Sequence, residues 1–179
     1  MKHLLLFSLA AFILSCQAPS PKSNQFDKFN ENAASADSTF NLFESGDLDI
    51  MSDMYADDMF WSPANTTDSL SKEQWRSGMQ EWHASFDSFS FKDRLYYPSV
   101  DEEFVPNGGV RVYGTWSSVH KETGKSTQTK YYAVLEYNED GKIAGNMEWF
   151  DLGGVFDQLE DSPEATEEQY YFYKLYKMK

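Results

Sequence analysis

The chain has 179 residues, 41% hydrophobic and 17% aromatic, enough apolar side chain for one core and too much for a disordered chain. Its formal net charge is −14, from 29 acidic against 15 basic residues. That balance repels phosphate backbones and leaves no basic stripe, which excludes nucleic acid as a partner.

In chain order, the sequence opens with a targeting pattern. Lys2 and His3 precede an apolar run over residues 4–14, broken only by Ser8 and too short to span a bilayer. The run ends at Ile13-Leu14-Ser15-Cys16, which resembles the lipobox of bacterial lipoproteins. That resemblance implies removal of residues 1–15, acylation of Cys16 and attachment to a membrane through the lipid. Residue 17 is Gln and not Asp, the residue that resembles an inner-membrane retention signal. The expected location is the cell envelope, on the outer membrane facing the periplasm. Cys16 is the only cysteine, so no intrachain disulfide can form.

Residues 16–34 are rich in Pro, Ser, Asn and Gln and read as a flexible tether. A first helix is expected to start at Ser35 or Asp37 and to end at Gly46, with Phe40 and Phe43 on one face. Asp47 then caps a second short helix over 48–55. Residues 59–62 read as a strand stopped by Pro63. Ser71 and Gln74 form a capping box, and Trp75, Met79, Trp82 and Phe86 give the helix that follows one apolar face. Residues 89–97 read as a long strand and 98–109 as a loop. Three antiparallel strands come next, over 110–120, 126–137 and 142–151. Gly124 and Gly141 sit in the two turns, where positive φ is wanted. Residues 155–159 read as a closing helix. Residues 161–179 are an acidic linker ending in an aromatic and Lys-rich tail, suited to a membrane interface, to this domain or to a second copy.

This order, helices first and a meander after, predicts an α+β fold with helices on one side of a curved sheet. Three segments go further. The joint Glu44-Ser45-Gly46-Asp47-Leu48-Asp49, the unit Ala56-Asp57-Asp58 leading into a strand, and the stretch AGNMEWFDLGGVFDQL at 144–159 resemble the SnoaL-like branch of the nuclear transport factor 2-like superfamily. The resemblance covers about residues 35–160. It implies a cone: a curved antiparallel sheet wrapped around N-terminal helices, in the cystatin-like class, with a cavity at the open end. The superfamily holds enzymes and non-enzymes, so the fold does not settle activity. Ketosteroid isomerases need a helix-one Tyr, a carboxylate base after the first strand and a neutral Asp on a mid-sheet strand. This sequence has Thr39, Ser62 or Pro63, and Ala133 there, which excludes that chemistry.

Strand alternation puts Thr129, Tyr131, Ala133 and Leu135 on one face, and Asn146, Glu148 and Phe150 on the concave face of another strand. Glu148 is the sharpest candidate acid or base, because an aromatic cavity raises a carboxyl pKa toward the range of general acid–base work. The alternative is a Glu paired with Lys130, Arg111 or a hydroxyl, or one exposed at the rim. SnoaL-type cyclases use an Asp/His arrangement, which makes His83 on the third helix a second catalytic candidate. Asp151 is expected to cap the closing helix. Trp61, Met79, Trp82, Trp116, Tyr131, Asn146 and Phe150 are the candidate ligand contacts, an aromatic set suited to a planar or apolar molecule. No His/Cys pair has metal-ligand spacing and no Gly-rich phosphate loop occurs, so neither metal nor cofactor is expected. The leading expectation is a lipid-anchored domain that binds a small apolar or aromatic molecule. The alternatives are a SnoaL-like enzyme using Glu148, with Tyr131 or Trp116 orienting the substrate, and a protein-interaction module. Superfamily members often dimerise through the exposed sheet face, which implies a homodimer as a further option.

Overall fold

The computed structural model describes residues 21–160, with side chains from residue 26 onward. Ten elements follow one another: α1 (Pro21–Ser45), α2 (Leu48–Asp53), β1 (Tyr55–Ser62), β2 (Leu70–Ser71), α3 (Lys72–Ser85), β3 (Phe86–Val100), β4 (Pro106–His120), β5 (Ser126–Tyr137), β6 (Ile143–Phe150) and α4 (Leu152–Asp157). The six strands form one sheet in the order β2-β1-β6-β5-β4-β3. β1 and β6 are parallel, and the other pairs are antiparallel.

The largest departure from expectation is α1. Residues 21–34, expected as a tether, form its first half. Phe29 and Ala33 extend the stripe of Ala36, Phe40 and Phe43 backwards at helical spacing, and all five pack on the core. Asn32 adds a buried anchor: its Nδ2 donates to the Gly108 carbonyl at 2.7 Å, and its own carbonyl accepts from the Tyr137 hydroxyl at 2.8 Å. Tertiary packing therefore holds a helix that composition alone disguises as linker. Gly46, at φ +82°, ends α1 in a Schellman turn, with Asp47 N–H on the Leu42 carbonyl and Gly46 N–H on the Phe43 carbonyl. Asp47 precedes α2, yet its carboxylate accepts from Ser45 and not from a helix amide.

The Ser71 capping box forms as read, with Ser71 N–H on Gln74 Oε1 and Gln74 N–H on Ser71 Oγ. The chain leaves the helix at Phe86, so β3 begins there and runs 15 residues. β3 is not regular. Its pairing with β4 slips between Asp87 and Ser90 and again between Lys92 and Leu95. Ser88 and Asp93, with φ of 52° and 55°, sit at those two places. Such bulges bend a strand, and here they curl the sheet around α1.

A charged clamp holds β3 to α1 beside the second bulge. Arg94 reaches Asp37 at 2.8 Å and Glu44 at 2.9 Å, donates to Asn41 Oδ1 at 2.7 Å, and lies 5.3 Å from the centre of the Phe91 ring. Tyr96 donates its hydroxyl to Asp37 at 2.7 Å, and Glu44 also accepts from the Phe91 amide. Arg94 is 15% exposed at the side chain, so each donor replaces water that burial removed.

Candidate functional site

The concave face of the sheet and the helices enclose a cavity of about 90 Å³. Its wall is almost wholly aromatic and aliphatic. α1 supplies Phe40 and Phe43, α3 supplies Trp75, Met79 and Trp82, and β4 supplies Trp116. The rings interlock: Trp116 stands 5.2 Å from Phe43 and stacks on Phe91 at 4.6 Å, and Tyr55 packs on Trp75 at 4.0 Å.

One carboxylate lies in this wall. Glu148 is on β6, two residues from Asn146 and from Phe150, so all three face inward. It is 8% exposed. Trp61 Nε1 donates to its Oε1 at 2.9 Å, and the Tyr131 hydroxyl donates to its Oε2 at 2.8 Å. Neither donor is charged. Lys130 and Arg111, the partners considered from sequence, form no ion pair with it. Burial pushes the Glu148 carboxyl above its ordinary range, and the bonds from Tyr131 and Trp61 only partly offset that. Burial and then the neighbouring Glu148 charge push the Tyr131 hydroxyl well up, so Tyr131 stays a donor.

Position follows from register. β6 is a central strand between β1 and β5, and Ala133 lies directly opposite Glu148 on β5. On the other side Trp61 of β1 is in register with Asn146. Gly78 of α3 lies against the Trp61 ring, where a Cβ would stand 2.9 Å from the indole Cη2. The missing side chain lets α3 press the indole against β6, with its N–H on Glu148.

The remaining polar groups of the wall are few. Ser118 and Thr127 share a buried hydroxyl–hydroxyl bond of 2.9 Å. Asn146 is 3% exposed, and its Oδ1 has no hydrogen-bond partner among the described residues. An unpaired buried oxygen carries a desolvation cost that a partner would relieve.

Of the residues expected at the site, Met79, Trp82, Trp116, Tyr131, Asn146, Glu148 and Phe150 line the cavity together. Trp61 does not line it and acts from behind through Glu148. His83 is not part of it either, which corrects the expectation of a catalytic histidine. Its ring packs on Phe43 at 4.7 Å and Phe89 at 4.6 Å, beside Gly46 at the α1–α2 joint. Burial lowers its pKa, partly opposed by a hydrogen bond to the Phe43 backbone. Cys16 and the tail at 161–179 lie outside the described residues. Asp151 caps α4 as expected, through its Oδ1 on the Gly154 amide at 2.8 Å, although it is exposed and not buried. Phe40, Phe43, Tyr55, Trp75 and the Ser118–Thr127 pair were missed as cavity residues. Their signal was present as apolar helix stripes and strand alternation, but those patterns mark core and cavity wall alike. Among the described residues no group of three or more His, Cys, Asp or Glu is placed to hold a metal ion.

The fold is shared with several solved structures. A candidate polyketide cyclase of Xanthomonas campestris superposes with a TM-score of 0.62 at 14% identity, over 74% of this chain and 99% of the other. A candidate isomerase of Bacillus subtilis gives 0.63 at 15%, over 75% and 96%. A nuclear transport factor 2-like protein of Burkholderia xenovorans gives 0.57 at 14%, over 73% and 97%. This chain has the nuclear transport factor 2-like fold. No protein-family model matches the sequence, and no curated protein matches it either. At these identities the nuclear transport factor 2-like neighbours share architecture, and the chemistry of this site rests on its own residues.

Proposed function

We propose that this nuclear transport factor 2-like domain binds a small, uncharged apolar or aromatic molecule in the cavity over Glu148. One observation carries the reading: the only carboxylate in an aromatic wall is met by two neutral donors and by no cation. Such a carboxyl favours its protonated form, in which it donates to a ligand carbonyl or hydroxyl. An anionic ligand would meet an unpaired acid in a low-dielectric site. Asn146 supplies a second polar group two residues along the strand. The test is a panel of single-ring phenols, ketones and carboxylates, read by tryptophan fluorescence and by melting temperature. Phenols or ketones should shift both, and carboxylates neither. If none of the neutral rings shifts either signal, the reading is wrong.

The raised pKa of Glu148 favours a second reading, general acid–base catalysis on the bound molecule. Glu148→Gln separates the two, because a variant that binds as well and turns over as fast removes Glu148 from any chemistry. We further propose that Cys16 is acylated and holds the domain at the outer membrane facing the periplasm, on the strength of the lipobox-like Ile13-Leu14-Ser15-Cys16. Cells fed an acyl analogue should label the parent chain. Label that persists in Cys16→Ala would sink that proposal.

A further inference from the structure

Anchoring at Cys16 makes the orientation of the domain a physical question, because α1 begins only five residues later, at Pro21. Five residue steps reach at most about 17 Å. Whatever surface holds Cys16 lies close to the N-terminal end of α1.

The structure shows what else stands at that end. Asn32 bonds to Gly108, and eleven residues on, Phe43 packs on Trp116. α1 and β4 therefore run in the same direction. The start of α1 and the turn that precedes β4 project from the same pole. α1 continues about 10 Å beyond Lys28, whose side chain lies against Gly108. The β3–β4 turn extends about 13 Å beyond Gly108. The cavity lies toward the other pole, with Phe43 about 22 Å along the helix from Lys28.

Two apolar side chains at this pole are exposed among the described residues. Phe26 continues the stripe of Phe29, Ala33, Ala36 and Phe40 one turn past the end of the core, and is 49% exposed. Phe104 is 85% exposed at the tip of the turn, with φ at 60°. A bulky residue in the left-handed region is rare, and Asn or Gly would serve the turn better. The turn is nonetheless rigid. Asp101 Oδ1 accepts from the amides of Glu103 and Val105, and Asp101 N–H donates to the Val105 carbonyl. A braced turn thus holds a phenyl ring outward, and neither the backbone nor the core accounts for it.

We infer that this pole is a foot that rests on the lipid surface, with Phe104 inserted at the headgroup level, Phe26 set above it, and the cavity pole directed away from the membrane. The lipid surface is zwitterionic. Glu102 and Glu103 precede Phe104, and with Glu139 and Asp140 of the β5–β6 turn at the same pole they outnumber Lys28 and Lys142, so an anionic bilayer would repel it.

The inference rests on attachment at Cys16, and the experiment separates the two. The chain from Cys16 onward is coupled through that single thiol to a maleimide lipid in phosphatidylcholine vesicles containing brominated phosphatidylcholine. Chemical coupling makes the result independent of whether cells acylate Cys16. Phe104→Trp should add an emission component that brominated lipid quenches. Phe26→Trp should add a weaker one. Glu122→Trp, in the β4–β5 turn at the opposite pole, should add one that is not quenched. Replacing part of the lipid by phosphatidylglycerol should reduce the quenching at position 104. Quenching at 122 equal to that at 104, or none at 104 and 26, overturns the orientation. A dimer in solution that Phe104→Ser dissolves would make a second copy the occupant of this pole and would also overturn it.

Discussion

Asp37 and Glu148 are both carboxylates beside α1 and the sheet, and their surroundings are opposite. Asp37 meets a guanidinium, a phenol and an amide at the outer edge of α1. Burial pushes its pKa up, but Tyr96, Arg94 and Asn41 together outweigh that and hold it below the ordinary range. Glu148 meets only an indole N–H and a phenol, inside an aromatic wall, and its pKa is raised. The fold places a counter-charge where it needs geometry, at the β3 bulge, and omits one where a cavity lies. A clamp of that kind is structural. A carboxyl left without a cation in a cavity is the pattern of a site.

The two carboxylates also act on stability from opposite ends of the pH scale. Asp37 has a lowered folded pKa, so its contribution is present above its ordinary value and is lost as pH falls through the lowered one. Glu148 has a raised folded pKa, so its contribution is present below the ordinary carboxylate range and is lost as pH rises through the raised value.

Substitutions at each place should break the comparison in different ways. Arg94→Ala leaves Asp37 and Glu44 without their cation and should cost about 3 kcal/mol in urea unfolding, with ring-compound binding retained once folded. An equal loss of binding would show that the clamp is part of the site. Tyr131→Phe removes one donor from Glu148. At a pH high enough to ionise Glu148 it should cost about 2 kcal/mol, the scale of a hydrogen bond to a charged group, and about half that at a pH low enough to keep Glu148 protonated. A cost that does not change with pH would mean that Glu148 stays neutral throughout. Glu148→Gln should be near neutral at low pH and should gain about 1 kcal/mol once pH rises through the raised Glu148 pKa, because it removes the charge that burial penalises. A loss at high pH instead would mean that the carboxylate is solvated in the folded state. Tyr96→Phe should cost about 0.5 kcal/mol, since Asp37 keeps Arg94 and some water, with the acid-side loss of stability moved to slightly higher pH.

Much of the concave wall was legible in the sequence. Alternation along 146–150 and 129–135 needs only the period of a strand, and it placed Glu148, Asn146, Phe150 and Tyr131 correctly. Local signals such as Ser71 with Gln74, and Asp151 before Gly154, formed as read. What stayed hidden depends on contacts distant in sequence. Trp61 finds Glu148 only through the parallel pairing of β1 with β6, across 87 residues. Phe29 and Ala33 are two apolar residues in a polar stretch, and they read as helix only once the sheet they pack on exists. His83 follows Trp82, which does line the cavity, but its own ring turns to Phe43 and Phe89 on other elements.

The bulges of β3 have one more consequence. A sheet of this kind has two free edges, and an edge with unpaired amides is a template for another chain. One edge here is β2, only two residues long. The other is β3, long enough to recruit a partner, but its regular hydrogen-bonding rhythm is interrupted at Ser88 and Asp93, and Lys92 and Asp93 are exposed along it. The same kinks that bend the wall around a cavity therefore also blunt the one edge long enough to seed strand-by-strand growth into fibrils.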